Sequence, residues 1–402
     1  MPAVLCALAL APASALPALA QPAAGRLEPF QMVRSLQVVQ DRIADGDQAA
    51  LPMQRKMLEM IDARLAGSTP EDFSDSRNFR ALLIYAMSGG NPATVQKVVS
   101  RLILADEDAR LSAGLLEYVR GQPGRAVSAL KDIAPDAVAA DIGPALALVK
   151  GTLYANTDVG LSLSFFDYAR LAGPGTLIEE AALRRSISLS AETGDAGRFA
   201  RMSEQYVRRF LRSPYASQFA DYFVSGVARL HATLDLEEIA GIIDAMSGEQ
   251  SRVVYLRIAR QAAIDRLDEL LAFAREGIAR SAPPDEGGQD ARAMLYAALA
   301  SVASEHVRDV RGTLEAIDPS RLSEADRALL EVARRIVDDV VSPPSTAGLP
   351  AQRSGQAEIA GPPAADVPAV APADAAGSVS DFVAAKRSRL EAIDQLLQGS
   401  AR

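Results

Sequence analysis

Apolar residues between positions 27 and 341 recur at the helical period, and this restricts the fold more than any other feature of the chain. Met53, Met57, Met60, Ile61 and Leu65 fall at i, i+4, i+7, i+8 and i+12. Val95, Val98, Val99, Leu102 and Ile103 follow the same rule, as do Leu329, Ala333, Ile336, Val337 and Val340. Each set marks one face of a helix that has to be buried against something. Convincing period-2 strand patterns are absent. There is no Trp, and Phe and Tyr number only 11 and 9. Leu, Ala, Val and Ile must therefore build the core, which suits helix-on-helix packing.

Cap signals divide this region into separate helices. Thr69-Pro70-Glu71-Asp72 offers an N-cap, a first-turn proline and an acid at the third position. Thr176 with Glu179, Asp235 with Glu238, and Ser323 with Asp326 repeat the capping-box spacing. Asn91-Pro92 and Ser213-Pro214 read as cap-plus-proline starts. The loops are short, so consecutive helices are expected to be antiparallel neighbours. One pair runs from Gly114 through Gly124-Arg125-Ala126 to Leu130. Another runs from Ala181 to Phe219, with Gly194-Asp195 as its turn and Phe199, Tyr206 and Phe210 on the second helix. These pairs resemble degenerate tetratricopeptide repeats, without a clean 34-residue period. The expected fold class is all-α, an antiparallel helix-pair solenoid over residues 21–341. A compact helical bundle is the alternative.

The flanking segments differ. Residues 1–20 are apolar and small, and Ala18-Leu19-Ala20 precedes Gln21, as in a secretory signal peptide with a small-x-small cleavage site. Only the amino terminus supplies positive charge ahead of that run. Pro2, Pro12 and Pro17 argue against a continuous buried helix there. Residues 342–377 are rich in Pro, Ala, Gly and Ser and cannot build a core, so a disordered linker is expected. Residues 378–402 return to helical patterning, with Val379, Phe382, Val383, Leu390, Ile393 and Leu397 on one stripe. Such a stripe on a tether needs a surface. Phe382, Leu390, Ile393 and Leu397 are the candidates for docking it, back onto the helical region in preference to a partner.

Charge and composition exclude several classes. The net charge is −9 and no basic stripe with interleaved aromatics occurs, so nucleic acid is not an expected partner. No run after the leader is long and apolar enough for a transmembrane span. The sole cysteine, Cys6, lies in the leader, which leaves no disulfide, thiolate nucleophile or Cys-ligated metal in a mature chain. His231 and His306 are the only histidines and sit far apart, so they read as packed or surface side chains rather than metal ligands. No phosphate-binding glycine loop or G-x-S-x-G occurs. The acid pairs Glu179-Glu180, Glu237-Glu238 and Asp338-Asp339 read as solvated faces and i,i+4 partners of arginine. No catalytic, cofactor or metal residue is assigned. Ser88-Gly89-Gly90-Asn91-Pro92, a tight turn after the apolar run 82–87, reads first as helix punctuation and second as an exposed partner-contact loop.

Two stretches carry a resemblance. Glu28-Pro29-Phe30-Gln31-Met32-Val33-Arg34-Ser35-Leu36-Gln37-Val38-Val39-Gln40-Asp41, continuing through Gly46-Asp47 to Met53-Gln54-Arg55, resembles the start of mature MotC proteins. Ala81-Leu82-Leu83-Ile84-Tyr85-Ala86-Met87-Ser88-Gly89-Gly90-Asn91-Pro92 is similar to the same family, and the likeness extends to Pro214-Tyr215-Ala216-Ser217. The resemblance implies a periplasmic motility protein that binds the periplasmic part of the stator subunit MotB and supports flagellar rotation. It brings no catalytic residue and no cofactor. Two other readings compete with it. The first alternative is a general periplasmic helical-repeat scaffold in envelope assembly. A lytic transglycosylase needs a Glu-Ser catalytic pair, and no Glu-Ser dipeptide occurs.

The leader yields a direct test. Mass spectrometry of the native protein is expected to place the mature N-terminus at about residues 20–26. A cytoplasmic product that retains Met1 would refute export.

Overall fold

The computed structural model describes residues 27–281, 291–301 and 307–341. Among these residues the fold is all-α, with no strand, as the periodicity requires. The chain groups into two compact units. The first takes residues up to 262 together with 272–282, and the second takes 263–271 together with the residues from 283 onward.

The first unit opens with α1 (Pro29–Ala44), α2 (Ala50–Ala66), α3 (Ser76–Met87) and α4 (Pro92–Val99). It continues through α5 (Asp106–Val119), α6 (Pro123–Leu130), α7 (Gly143–Tyr154) and α8 (Val159–Ala172). Then follow α9 (Leu177–Thr193), α10 (Ala196–Phe210), α11 (Ala216–Leu230) and α12 (Leu236–Asp244). Helix α13 (Gly248–Asp265) and helix α14 (Asp268–Arg280) follow, with 263–265 and 268–271 belonging to the second unit. Neighbours in sequence pack as hairpins: α1 on α2, α5 on α6, α7 on α8 and α9 on α10. The anticipated turn between α9 and α10 is present. Gly194 closes α9 in the left-handed region at φ 79°, where a side chain is strained, and the Asp195 carboxylate accepts from the Arg198 N–H to start α10. Phe199, Tyr206 and Phe210 of α10 are all buried.

Close approach inside the hairpins depends on small residues. A Cβ at Gly114 of α5 would fall 2.5 Å from Cγ of Leu130 on α6. One at Gly151 of α7 would fall 2.5 Å from the Phe166 ring on α8. Glycine inside a helix costs about 1 kcal/mol relative to alanine. Here it lets a large apolar side chain of the second helix sit against the first helix backbone, which favours burial. The same pair of hairpins holds Lys150, only 2% exposed. Its ammonium donates to the carbonyls of Leu130, Lys131 and Ile133 at 2.9, 3.3 and 2.7 Å. These carbonyls lie at and just beyond the end of α6 (Pro123–Leu130), so the cation meets the negative end of the helix dipole. Burial pushes the Lys150 pKa down.

Helix α1 packs on α2 and α3 and also on α9, far along the chain. Its start is clamped. Glu28 and Gln31 form a capping box, and the buried Asn78 accepts from the Phe30 N–H while donating to Glu28 and to the Asp72 carbonyl. Arg64, also buried, donates to the Leu27 carbonyl and pairs with Asp72 at 3.1 Å. At the other end, the α1–α2 turn passes through Gly46 at φ 99°. A Cβ there would stand 2.5 Å from Cβ of Arg212 and 2.6 Å from its carbonyl oxygen, so the turn seats directly on the chain after α10.

In the second unit, α15 (Ala291–Ser301), α16 (Val307–Ala316) and α17 (Glu324–Val341) pack together. Leu295, Leu314, Leu330, Ala333 and Val337 are buried there. The Tyr296 hydroxyl donates to Asp326, which also accepts from the Ser323 hydroxyl in the expected cap. Arg334 donates to the carbonyls of Leu314 and Ile317.

Some expectations need correction. Ile61 and Leu65 of α2 are buried, but Met53 and Met60 are 46% and 47% exposed, because the two stand outside the face that meets the core. Helix α4 ends at Val99, so Leu102 and Ile103 belong to the following loop and Ile103 is fully exposed. Ser213-Pro214 forms a turn, and α11 begins only after Tyr215. The linker 342–377 and residues 378–402, with Phe382, Leu390, Ile393 and Leu397, lie outside the described residues, as does the leader.

The seating of the turn on Arg212 is testable with two alanine variants. Gly46→Ala and Gly89→Ala both force an alanine to positive φ, which costs about 1–2 kcal/mol each. Gly89 has open space around it, whereas Gly46 does not. Urea denaturation is therefore expected to show Gly46→Ala as clearly the more destabilised. Equal losses would mean the turn does not dock.

Candidate functional site

The first unit carries a groove of about 550 Å3. Its lining comes from α1, α3, α5, α7 and α9, with Tyr215 at one edge. Helices α3, α5, α7 and α9 are the first members of successive pairs, so the groove runs along one face of the repeat. Helix α1, packed on both α3 and α9, closes it. The half-buried Met87, Leu148, Leu177 and Ile178 supply apolar surface, together with Val38 of α1, which is 56% exposed.

The wall formed by α9 is electrostatically built. Glu179 and Glu180, expected on a solvated face, are both 0% exposed. Glu180 accepts from Arg184 at 3.0 Å and from the Tyr206 hydroxyl at 2.8 Å. Glu179 accepts from the Gly175 N–H at 2.6 Å, from Arg209 at 2.8 Å and from Gln205 at 3.1 Å. The i,i+4 pairing of Glu180 with Arg184 is present, but inside the protein. The reason is that α9 packs against α1, α7, α8, α10 and α11 and has little free face. The sequence did hold a signal: Glu180 is in phase with the buried Leu183 and Ile187 at i+3 and i+7. Thr176 consequently makes no side-chain cap, and Glu179 serves the loop N–H of Gly175 instead. Behind this wall, Tyr206 stacks on Phe219 with centroids 4.2 Å apart, and Phe219 stacks on Phe223 at 5.5 Å. Burial beside Glu180 drives the Tyr206 pKa upward.

Opposite α9, Asp41 of α1 takes a backbone hydrogen bond from Leu177, the first residue of α9. Burial and the nearby Asp45 raise the Asp41 pKa nonetheless. Arg184 is neutralised by Glu180 and also donates to Gln218. Arg185 donates to the neutral Thr152 hydroxyl at 2.8 Å.

The Ser88-to-Pro92 turn sits at the groove rim. Ser88 lines the groove. Gly89 is exposed at φ 89°, and Gly90 is buried against the Tyr85 ring, which a Cβ would approach to 2.5 Å. The Tyr85 hydroxyl accepts from the Asn91 N–H at 2.9 Å and donates to Asp62 at 2.7 Å. Asn91 caps α4 through the Ala93 N–H, and Pro92 opens it. The turn is helix punctuation that also presents one side chain, Ser88, to the groove. His231 contacts the Ala228 carbonyl of its own helix at 2.9 Å, and His306 lies outside the described residues. Among the described residues no group of three or more His, Cys, Asp or Glu side chains could hold a metal ion. No helix among them is long and apolar enough to cross a membrane.

The family model described as "Chemotaxis protein MotC" matches residues 1–402. The chain belongs to the MotC family. A curated relative, "Chemotaxis protein MotC" of Rhizobium meliloti (strain 1021), is 39% identical to it. That match covers 93% of this chain and 92% of the relative. The resemblance seen in the two N-terminal stretches thus holds along this MotC-family chain. No solved structure matches it.

The α9 wall gives two tests. Glu180→Ala leaves Arg184 charged and short of its partner, and Tyr206 loses its acceptor. Breaking a buried pair in this way costs about 3–5 kcal/mol. Tyr206→Phe is expected to cost less, about 1–3 kcal/mol. Denaturation midpoints check both, and a Glu180→Ala loss under about 1 kcal/mol would mean the pair is hydrated. Asp41 gives a pH test. A carboxylate whose folded pKa is raised favours folding below its unfolded pKa, and that contribution is lost as pH rises through the folded value. Wild type is therefore expected to lose stability relative to Asp41→Asn as the pH rises above the ordinary carboxylate range, about 4. An unchanged difference between the two would place Asp41 in water, and the opposite trend would mean that its carboxylate is stabilised in the fold.

Proposed function

We propose that this protein is a periplasmic, non-enzymatic component of the motility machinery that binds the periplasmic part of the stator subunit MotB and so supports flagellar rotation. The observation that carries this reading is the groove lined by the first helices of successive pairs, joined to a family match over the whole chain. Helical repeats offer extended inner surfaces that suit protein partners. The relative's name connects the family with chemotaxis. The leader and the small-x-small motif before Gln21 support export to the periplasm. Ser88, Gly89, Gly90, Asn91 and Pro92 are part of the proposed contact region through the rim position of Ser88. Residues 378–402 are proposed to dock through Phe382, Leu390, Ile393 and Leu397 onto the helical region.

A binding protein fails when its surface fails, since interfaces concentrate energy in a few residues worth on the order of 2 kcal/mol or more each. Deleting the gene is expected to leave flagella assembled but paralysed or weakly rotating, and His231→Ala is expected to swim normally. Motility agar with protein levels measured reads both outcomes. Normal swimming in the deletion would refute the motor role. Loss of swimming in His231→Ala at normal protein level would reopen an enzymatic or metal-dependent reading. A pulldown that recovers envelope-assembly proteins and no stator subunit would favour the general scaffold.

A further inference from the structure

The groove is not electrically balanced. Three ionisable lining groups have their positions explained: the buried Glu180 with the part-buried Arg184, mutually neutralised, and Asp41 with the Leu177 N–H it serves, while Arg185 donates only to the neutral Thr152 hydroxyl. Arg34, on the α1 wall, is exposed and makes no ion pair or side-chain hydrogen bond among the described residues. Two guanidinium groups lining the groove, one from α1 and one from α9, therefore lack carboxylate partners. This occurs in a chain whose net charge is −9. Between them lies apolar surface that water still reaches, with Val38 at 56% exposure.

We propose that the groove receives a protein segment with an apolar face flanked by carboxylates, which Arg34 of α1 and Arg185 of α9 bind. The chemistry selects this occupant. Arginine forms two-pronged hydrogen bonds with carboxylates and keeps its charge at every physiological pH. Leaving such groups unpaired beside apolar side chains wastes both contacts, and an acidic amphipathic segment satisfies them together. A groove of about 550 Å3 takes the side chains of a segment, not a folded domain. An amphipathic helix laid into a groove is an established way for side chains on one face to supply affinity. The charges add specificity and speed of encounter. This deepens the stator reading above and rests on it for the identity of the partner, though not for the chemistry of the groove.

The experiment uses the purified full chain and two probes. The first probe is the periplasmic domain of MotB. The second is a synthetic helical peptide with leucines on one face and glutamates beside them, compared with its twin carrying glutamine for every glutamate. Variants are Arg34→Glu with Arg185→Glu, the milder Arg34→Gln with Arg185→Gln, and Arg101→Glu as an exposed control outside the groove. Circular dichroism confirms folding, and the milder pair replaces the reversal if that misfolds. MotB binding is expected to weaken ~10-fold or more in the groove variants and to stay unchanged in the control, consistent with truncated charge contacts across an interface. The acidic peptide is expected to bind ~10-fold more tightly than its amide twin, with the preference lost in the groove variants. MotB binding that survives the groove variants would overturn the groove inference and leave the stator reading standing. Wild type that ignores MotB yet discriminates between the peptides would sink the stator reading and support the groove. Wild type that ignores MotB and binds both peptides alike, or neither, would overturn both.

Discussion

Two adjacent carboxylates without access to water set the terms for the middle of this protein. Glu179 and Glu180 are wholly buried on α9. A carboxylate in that position destabilises the fold by several kcal/mol unless cations and hydrogen-bond donors surround it. The donors come from α9 itself, from the loop before it and from α10: Arg184, Gly175, Gln205, Tyr206 and Arg209. Satisfying the pair therefore fixes how α10 lies along α9. It also places Tyr206 where the aromatic ladder to Phe219 and Phe223 can form, which brings in α11. The cost of burying charge is converted into a demand for one arrangement of three helices.

The groove inherits its wall from that arrangement, and its closure from α1. Arg184 is committed inward to Glu180, which leaves Arg185, one residue along, as the cation that the wall keeps available. On the facing side, α1 is held at its start by Asn78 and Arg64 and near its end by Gly46 and Asp41. Both ends of α1 are thus anchored, which presents Arg34 and Val38 from a fixed helix rather than from a loop. Placing contact groups on rigid elements limits the conformational entropy lost on binding.

Much of this was legible in the residues. The period-3.6 patterns, the caps at Asp235, Ser323 and Asn91, and the Gly194-Asp195 turn gave helices and their boundaries because they act through neighbours in sequence. The buried Glu179–Glu180 pair was misread because its partners Gln205, Tyr206 and Arg209 lie on another helix, and acidic residues beside arginines usually face water. The phase of Glu180 with Leu183 and Ile187 was the available clue. Met53 and Met60 were misread for the complementary reason: periodicity shows that a helix has an apolar stripe but not which part of it another helix covers. The groove was not legible at all. It depends on α1 meeting α9, a contact that no local pattern encodes.

That contact also governs timing. Helix α1 precedes α9 by more than a hundred residues, yet its hydrogen-bond partner at Leu177 and its seat at Arg212 lie at and beyond that helix. The hairpins α5–α6 and α7–α8 can form from local contacts before α1 meets Leu177 or Arg212. Closing so long a loop is slow relative to forming hairpins. The groove is therefore among the last features to be completed, and the nascent chain carries no finished partner site until most of the first unit exists.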